Sequence, residues 1–257
     1  MIRHHYPISY LSGSQITISM IAQLLLYVSL VFGLTTLLTV WLFYRATQQS
    51  KTTLIVLLGW MALQGMLGLT GFYQETRSVP PRFPALIGPP LLLIIGLLLT
   101  QRGRRYIETL RLDRLTFLHV VRIPVEVVLF WLFLGKAVPQ VMTFEGRNFD
   151  ILSGITAPIV YYVGFVKRQL PRNVLLVWNL VCLGLLVNIV LTAALAAPTP
   201  FQQIAFEQPN IGILYFPFVW LPSVVVPLVL MAHVSAFWQL GSNGIATRSE
   251  AADATSI

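Results

Sequence analysis

Residues 115–138 read LTFLHVVRIPVEVVLFWLFLGKAV, an apolar run that is interrupted by only a few polar side chains. A transmembrane helix needs about 20 mostly apolar residues, so this run is long enough to cross a bilayer. Lys136 lies near its end, and three further ionisable residues lie deep inside it: His119, Arg122 and Glu126. Ionisable groups at membrane depth are costly unless they are paired, and they usually face a bundle interior or a watery cavity. The run therefore predicts a membrane helix whose polar stripe faces protein rather than lipid.

The composition of the whole chain also indicates a membrane protein. Of its 257 residues, 56% are hydrophobic and only 10% are charged, and the mean hydropathy is +0.76. The predicted fold class is an all-α, polytopic membrane helix bundle with seven transmembrane helices, or six if the short third segment does not cross. The predicted spans are residues 16–44, 53–72, 85–100, 115–138, 151–166, 173–196 and 211–238. Pro89 and Pro90 make a kinked or re-entrant third segment an open alternative.

The net charge of +8 is distributed unevenly between the two sides of the predicted bundle. Lysine and arginine are enriched in cytoplasmic loops, which favours an outside N-terminus and an inside C-terminus. The inner set is Arg45, Lys51, Arg102, Arg104, Arg105, Arg111, Arg114, Lys167, Arg168, Arg172 and Arg248. The outer set is Arg3, Arg77, Arg82, Lys136 and Arg147. Topology explains this bias, so the expected partner is the lipid bilayer of the cell membrane, not nucleic acid.

The predicted organisation is one integral membrane domain, residues 1–240, followed by a short disordered cytoplasmic tail, residues 241–257. The tail reads GSNGIATRSEAADATSI and consists mostly of small and polar residues. Cys182 is the only cysteine. An intramolecular disulfide and a cysteine-based metal site are therefore excluded, and Cys182 is expected to pack as a small apolar side chain.

The stripe in the fourth span has two interpretations. A helix turns about 100° per residue, so His119, Arg122 and Glu126 fall on one face, and Pro124 frees a backbone carbonyl beside them. In the functional interpretation Glu126 is a charge switch near the midplane, and Arg122 is its partner or an anion contact. In the packing interpretation Arg122 and Glu126 form an ion pair within the helix that only locks it to its neighbours.

The seventh span contains Pro217, Pro222 and Pro227, with Trp220 between the first two. It is expected to be bent or unwound, which either surrounds a binding site or is simply tolerated in a membrane helix. His233 lies at a depth similar to that of His119. We expect the two histidines to line one cavity that opens towards the cytoplasm and exchanges protons there.

Facing histidines also raise the alternative of haem or metal ligation. A histidine that bonds a neighbouring helix is more common, so the prediction contains no metal ligand and no cofactor. His4 and His5 are expected to be solvated.

The outer loop, TFEGRNFD, carries Glu145, Arg147 and Asp150. These residues are candidates for gating a cavity. The better interpretation of Asp150 is a cap of the fifth helix, since aspartate favours N-cap positions. Packing is expected for the small residues Gly65, Gly68 and Gly71 and for Asn179 and Asn188.

No enzyme motif is present in the sequence. We therefore predict a multi-pass membrane protein that binds or translocates a small solute or proton through a polar intramembrane cavity. One alternative is a membrane oxidoreductase or haem protein that uses His119 and His233. Another is a receptor or structural subunit whose polar groups only pack. The candidate ligand or proton site is His119, Arg122, Glu126, Trp220 and His233, and the oligomeric state is left open.

Overall fold

The computed structural model describes residues 13–76, 78 and 82–254, with side chains from residue 26 to residue 241 of those ranges. His4 and His5 lie outside the described residues. The described part of the chain is helical and contains no strand, so the predicted all-α class is confirmed there. The helices are α1 (Gly13–Ala46), α2 (Lys51–Leu69), α3 (Pro84–Leu99), α4 (Gln101–Thr109), α5 (Leu112–Leu118), α6 (Arg122–Leu134), α7 (Ile151–Tyr161), α8 (Arg172–Ala196) and α9 (Val226–Ala254).

Five helical stretches within the described residues are long and apolar enough to cross a membrane. They are Leu26–Ala46, Lys51–Leu69, Leu112–Leu134, Arg172–Ala196 and Leu221–Gly241. The pair α3 and α4 adds a sixth candidate if it is counted as one span that bends by 98°. The stretch Ile151–Val166 is apolar but shorter. These five to six spans are compatible with a membrane protein.

The sharp turn between α3 and α4 lies at Thr100, and α3 is continuous through Pro89 and Pro90. Thr100 is extended, and its hydroxyl accepts a hydrogen bond from the Gly103 N–H, which starts α4 in a new direction. The last helix holds α4 in place, because Gln239 donates to the backbone carbonyls of Ile107 and Leu110, both at 2.8 Å. Helix α4 therefore lies across one end of the bundle.

The fourth span is interrupted by one turn of a different helix type. A tight 3₁₀ turn, His119–Val121, separates α5 from α6 and precedes Pro124. Leu115, Leu118 and Val121 are fully buried, which places this break in the core of the bundle.

The chain after α6 turns back into the bundle. A 3₁₀ turn, Gln140–Met142, leads into a loop in which Asn148 and Asp150 are buried. Asp150 contacts Arg122, which lies twelve residues, or about 18 Å along the helix axis, before the last residue of α6. We call residues 143–150 the inserted loop. Because α7 begins inside the bundle at the end of this loop, the helix is short.

The seventh span begins later than the sequence predicted. Residues 211–220 are not part of a long helix; the helix begins with a π-helical turn, Leu221–Val225, and continues as α9. Pro217 therefore precedes the span, and the predicted range 211–238 was wrong at its start. The predicted distortion is confirmed at Pro222, which lies inside the π-helical turn.

Gly65 and Gly68 of α2 pack as expected, whereas Gly71 lies after the helix with a positive φ and meets only Gln74 of its own turn. A methyl group on Gly68 would lie 2.9 Å from Val219 Cγ2, and one on Gly65 would lie 3.3 Å from the Trp220 ring. Only glycine lets α2 approach the residues before the last span this closely.

Helix α9 is described to Ala254. The disordered tail from residue 241 stays a prediction, and so does its cytoplasmic location.

Candidate functional site

Arg122 is the centre of a buried polar cluster and is only 2% exposed. Its Nη1 donates to Asp150 Oδ1 at 2.6 Å and to the Cys182 carbonyl at 3.2 Å. Its Nη2 lies 2.8 Å from His233 Nε2. One guanidinium thus joins α6 to the inserted loop, to α8 and to α9.

The contact with Arg122 fixes the protonation of His233. Arginine has only donors, so His233 Nε2 accepts and carries no proton. The proton is then on Nδ1, which donates to Asn179 Oδ1 at 3.1 Å. The Asn179 amide is oriented in turn because its Nδ2 donates to the Leu175 carbonyl at 2.9 Å. His233 is therefore neutral and holds Arg122 in place.

His119 lies against His233, as the sequence predicted. The two rings are stacked, with centroids 4.3 Å apart and planes inclined by 29°. The Trp178 ring meets His119 edge-on at 5.5 Å. Among the described residues, no group hydrogen-bonds His119 Nδ1. The prediction that α5 and α9 are neighbours is confirmed by these ring contacts.

The two histidines do not fit a shared metal or haem iron in this arrangement. A ligating nitrogen directs its lone pair at the metal in the plane of its ring, and stacked rings direct their lone pairs along nearly parallel planes. The lone pair of His233 Nε2 also accepts from Arg122, and Nδ1 is protonated. Ligation would require the Arg122 contact to break.

Glu126 forms a second part of the cluster, one helical turn beyond Arg122. Asn148 Nδ2 donates to Glu126 Oε1 at 2.5 Å and also to the Met142 carbonyl at 3.1 Å. Within the described part of the chain, Glu126 Oε2 has no hydrogen-bond partner, although the residue is only 1% exposed. A buried acceptor without a partner is costly, and such groups often mark functional positions.

Glu126 lines an internal cavity of about 100 Å³. Arg122 and Asp150 line it as well, and its other lining residues are apolar. The walls come from α3, from α6, from the carboxyl-terminal half of α8 and from the start of the last span. Met142, which precedes the inserted loop, also lines the cavity.

The lining of this cavity differs from the predicted one, because neither histidine lines it. A cavity that opens towards the cytoplasm stays a prediction. Asp150 of the inserted loop and Met142, which precedes that loop, line the cavity beside Arg122. His233 contacts the other terminal nitrogen of the guanidinium.

Two sequence interpretations of Arg122 and Asp150 were wrong. Arg122 forms its ion pair with Asp150 and not with Glu126 of its own helix. Asp150 makes no capping hydrogen bond at the start of α7. An unpaired buried guanidinium costs much more free energy than one missing capping hydrogen bond, so the aspartate pairs with the arginine.

The remaining predicted residues lie apart from the cluster. Glu145 and Arg147 are exposed on the inserted loop, and the Arg147 carbonyl accepts from Asn188 Nδ2 at 3.0 Å. Trp220 donates to the Met61 carbonyl of α2 at 2.9 Å. Sequence reasoning missed the roles of Asn148 and Asn179. For Asn179 in α8, an asparagine inside an apolar span is a signal for a polar contact between helices, whereas Asn148 lies on a loop and offered no such signal.

An all-helical protein with several apolar spans and a charged cluster inside them is the class that this fold defines. The chain belongs to the family described as a domain of unknown function (DUF8737), which matches residues 80–241. That range contains every member of the polar cluster. No curated protein and no solved structure matches the chain.

Proposed function

We propose that the protein is a seven-helix integral protein of the cell membrane with its N-terminus outside and its C-terminus inside. The five long spans account for five crossings, and α3 and the stretch Ile151–Val166 supply the other two. The stretch Ile151–Val166 is short for a membrane span. The inserted loop explains this length, because a span that starts inside the bundle needs fewer residues to reach the other side. The bias of basic residues supports the orientation.

Cysteine labelling tests this topology. With Cys182 replaced by alanine, cysteines introduced at Ser78 and Gln202 should react with an impermeant thiol reagent from outside, and one at Thr109 should not. The reverse pattern would overturn the orientation. Labelling of residues 78 and 109 from the same side would show that the chain does not cross the membrane between them.

We propose further that this protein binds a small solute in the cavity beside Glu126. The observation that carries the proposal is the buried Glu126 Oε2, which lines a cavity and has no partner among the described residues. A bound molecule that donates a hydrogen bond would satisfy this oxygen. The bundle would then hold the solute near mid-depth, as in a transporter-like protein.

The walls of the cavity define the kind of solute. Apart from the three charged residues, they consist of side chains such as Val125, Leu129 and Val190. An apolar body with one donor-bearing head group, such as an alcohol, an amide or an amine, therefore fits best. Binding sites commonly combine apolar walls with few polar contacts in this way.

The same geometry favours a solute over proton exchange at the histidines. His233 Nε2 is already an acceptor for Arg122, so a proton there would displace a charged partner. A haem protein is disfavoured by the stacked rings. A subunit in which the polar groups only pack remains the competing function, and the following experiment separates it from solute binding.

The test compares small probes of similar length that differ in their head group. Butyramide and butylamine, which donate, should raise the unfolding temperature of the detergent-purified protein, and butyl methyl ether, which only accepts, should not. In the variant Glu126→Gln the ether should bind and butylamine, whose ammonium group has no acceptor, should not, because Asn148 can hold the amide oxygen and leave the NH₂ group as a donor towards the cavity.

Glu126→Leu is the second variant. It should abolish the effect of all three probes and lower stability more than Glu126→Gln, since it leaves Asn148 without its acceptor. If the wild-type protein and both variants respond alike to the probes, the cavity is not a solute site and the packing function is correct.

A further inference from the structure

A second cavity, of about 350 Å³, lies between α2, α3 and the last span. It shares no lining residue with the cavity at Glu126. Its lining residues lie on one face of each helix: Val56, Leu57 and Trp60 on α2, and Leu93, Ile94 and Leu97 on α3. Eight residues of α3, from Pro90 to Leu97, cover about 10 Å along the helix axis. The cavity is thus an elongated apolar groove.

The groove is accessible from the surface of the bundle. Val56 and Leu93 both line it, and they are 56% and 58% exposed. In a bilayer these side chains face the hydrocarbon region, so a lipid chain can reach the groove directly.

The groove is polar at one end. Thr52, Thr53 and Tyr106 line that end, and Thr53 Oγ1 lies 3.2 Å from the Tyr106 hydroxyl oxygen. Tyr106 belongs to α4, the helix that lies across the end of the bundle. This is the end at which the sequence predicts the cytoplasmic surface.

Three exposed cations are neighbours in sequence of the residues at the polar end: Lys51, Arg102 and Arg105. Arg102 is four residues before Tyr106, so the two lie on one face of α4. Arg105 and Lys51 are exposed on the same end of the bundle. Arg104 is engaged elsewhere, because it donates to the Leu99 carbonyl at 3.3 Å and lies over the Trp238 ring.

We propose that this groove binds one anionic phospholipid of the surrounding bilayer. One acyl chain occupies the apolar groove, and the phosphate lies among Arg102, Arg105 and Lys51. An elongated apolar groove with exposed cations near one end is complementary to an acyl chain with an anionic head group. Cations near an anionic lipid surface attract it individually, so three of them select the anionic lipid over the zwitterionic one.

The experiment uses the delipidated full chain in detergent, titrated with phosphatidylglycerol or with phosphatidylcholine of the same acyl chains. Native mass spectrometry counts the bound lipids. The wild-type protein should retain one phosphatidylglycerol about tenfold more tightly than phosphatidylcholine. The double variant Arg102→Gln/Arg105→Gln should bind both lipids equally, with unchanged helix content.

Two further variants complete the design. Val56→Trp fills the groove and should weaken binding of both lipids. Arg111→Gln/Arg114→Gln removes two cations from the same end of the bundle, where both lie beside Asp113, and should leave the preference unchanged. An equal loss of the phosphatidylglycerol preference in the two double arginine variants would show a general charge effect. Normal lipid binding by Val56→Trp would show that the acyl chain lies outside the groove. Either result would overturn the proposal. Neither outcome bears on the solute site at Glu126.

Discussion

Replacing Arg122 by methionine is expected to lower the free energy of unfolding by about 3–5 kcal/mol, the cost of breaking a buried ion pair from one side. The variant leaves the Asp150 carboxylate without its counter-charge and His233 Nε2 without its donor. Asp150→Leu should lower the free energy of unfolding by a similar amount, because it leaves the Arg122 guanidinium without a counter-charge. Reversible unfolding in mixed detergent micelles, followed by circular dichroism, measures both.

Arg111→Met is the matched control. Arg111 also pairs with an aspartate, Asp113, at 2.9 Å, but its side chain is half exposed. Water solvates both charges when such a surface pair is broken, so the unfolding transition should not move. A loss at Arg111 as large as that at Arg122 would contradict the burial of the cluster.

Replacing His233 by phenylalanine is expected to lower the free energy of unfolding by about 2–4 kcal/mol. The ring shape is kept, but Arg122 loses an acceptor and Asn179 loses a donor, and both are buried. His119→Phe is the matched comparison, since the ring still stacks on residue 233 and His119 Nδ1 has no partner to lose among the described residues. Its effect should be about 1 kcal/mol or less.

The same unfolding assay compares the two histidine variants. Equal losses in His119→Phe and His233→Phe would mean that the histidines act as a symmetric pair, as proton exchange or shared ligation requires. A loss confined to His233→Phe would support its role as a fixed acceptor for Arg122.

The sequence predicted which side of the fourth span faces the protein, because a charged side chain inside an apolar run is costly unless it faces the interior of the bundle. It also predicted that His119 and His233 meet, from their equal depth on antiparallel spans. Both inferences use helix geometry, which is regular and therefore readable from spacing.

The partners of Arg122 and Glu126 were not predictable in the same way. Asp150 and Asn148 lie on the inserted loop, and a loop has no repeat from which the position of a side chain can be read. The sequence places Asp150 directly before a helix, so capping was the natural interpretation. Only the path of the chain back into the bundle shows that a buried guanidinium lies within reach.

The lining of the cavity depended on the same loop. The sequence predicted its polar residues Arg122 and Glu126, but expected the two histidines to line it as well. Asp150 of the inserted loop and Met142, which precedes that loop, line it instead. The solute function assigned to it stays a prediction.

A double-mutant cycle between Arg122 and Asp150 tests most directly whether the inserted loop reaches the buried arginine. The double variant Arg122→Met/Asp150→Leu removes both charges and should be more stable than either single variant, which requires a coupling energy at least as large as the larger single loss, about 3–5 kcal/mol. Strictly additive losses, with the double variant the least stable of the three, would show that the two side chains do not meet and would contradict the buried cluster.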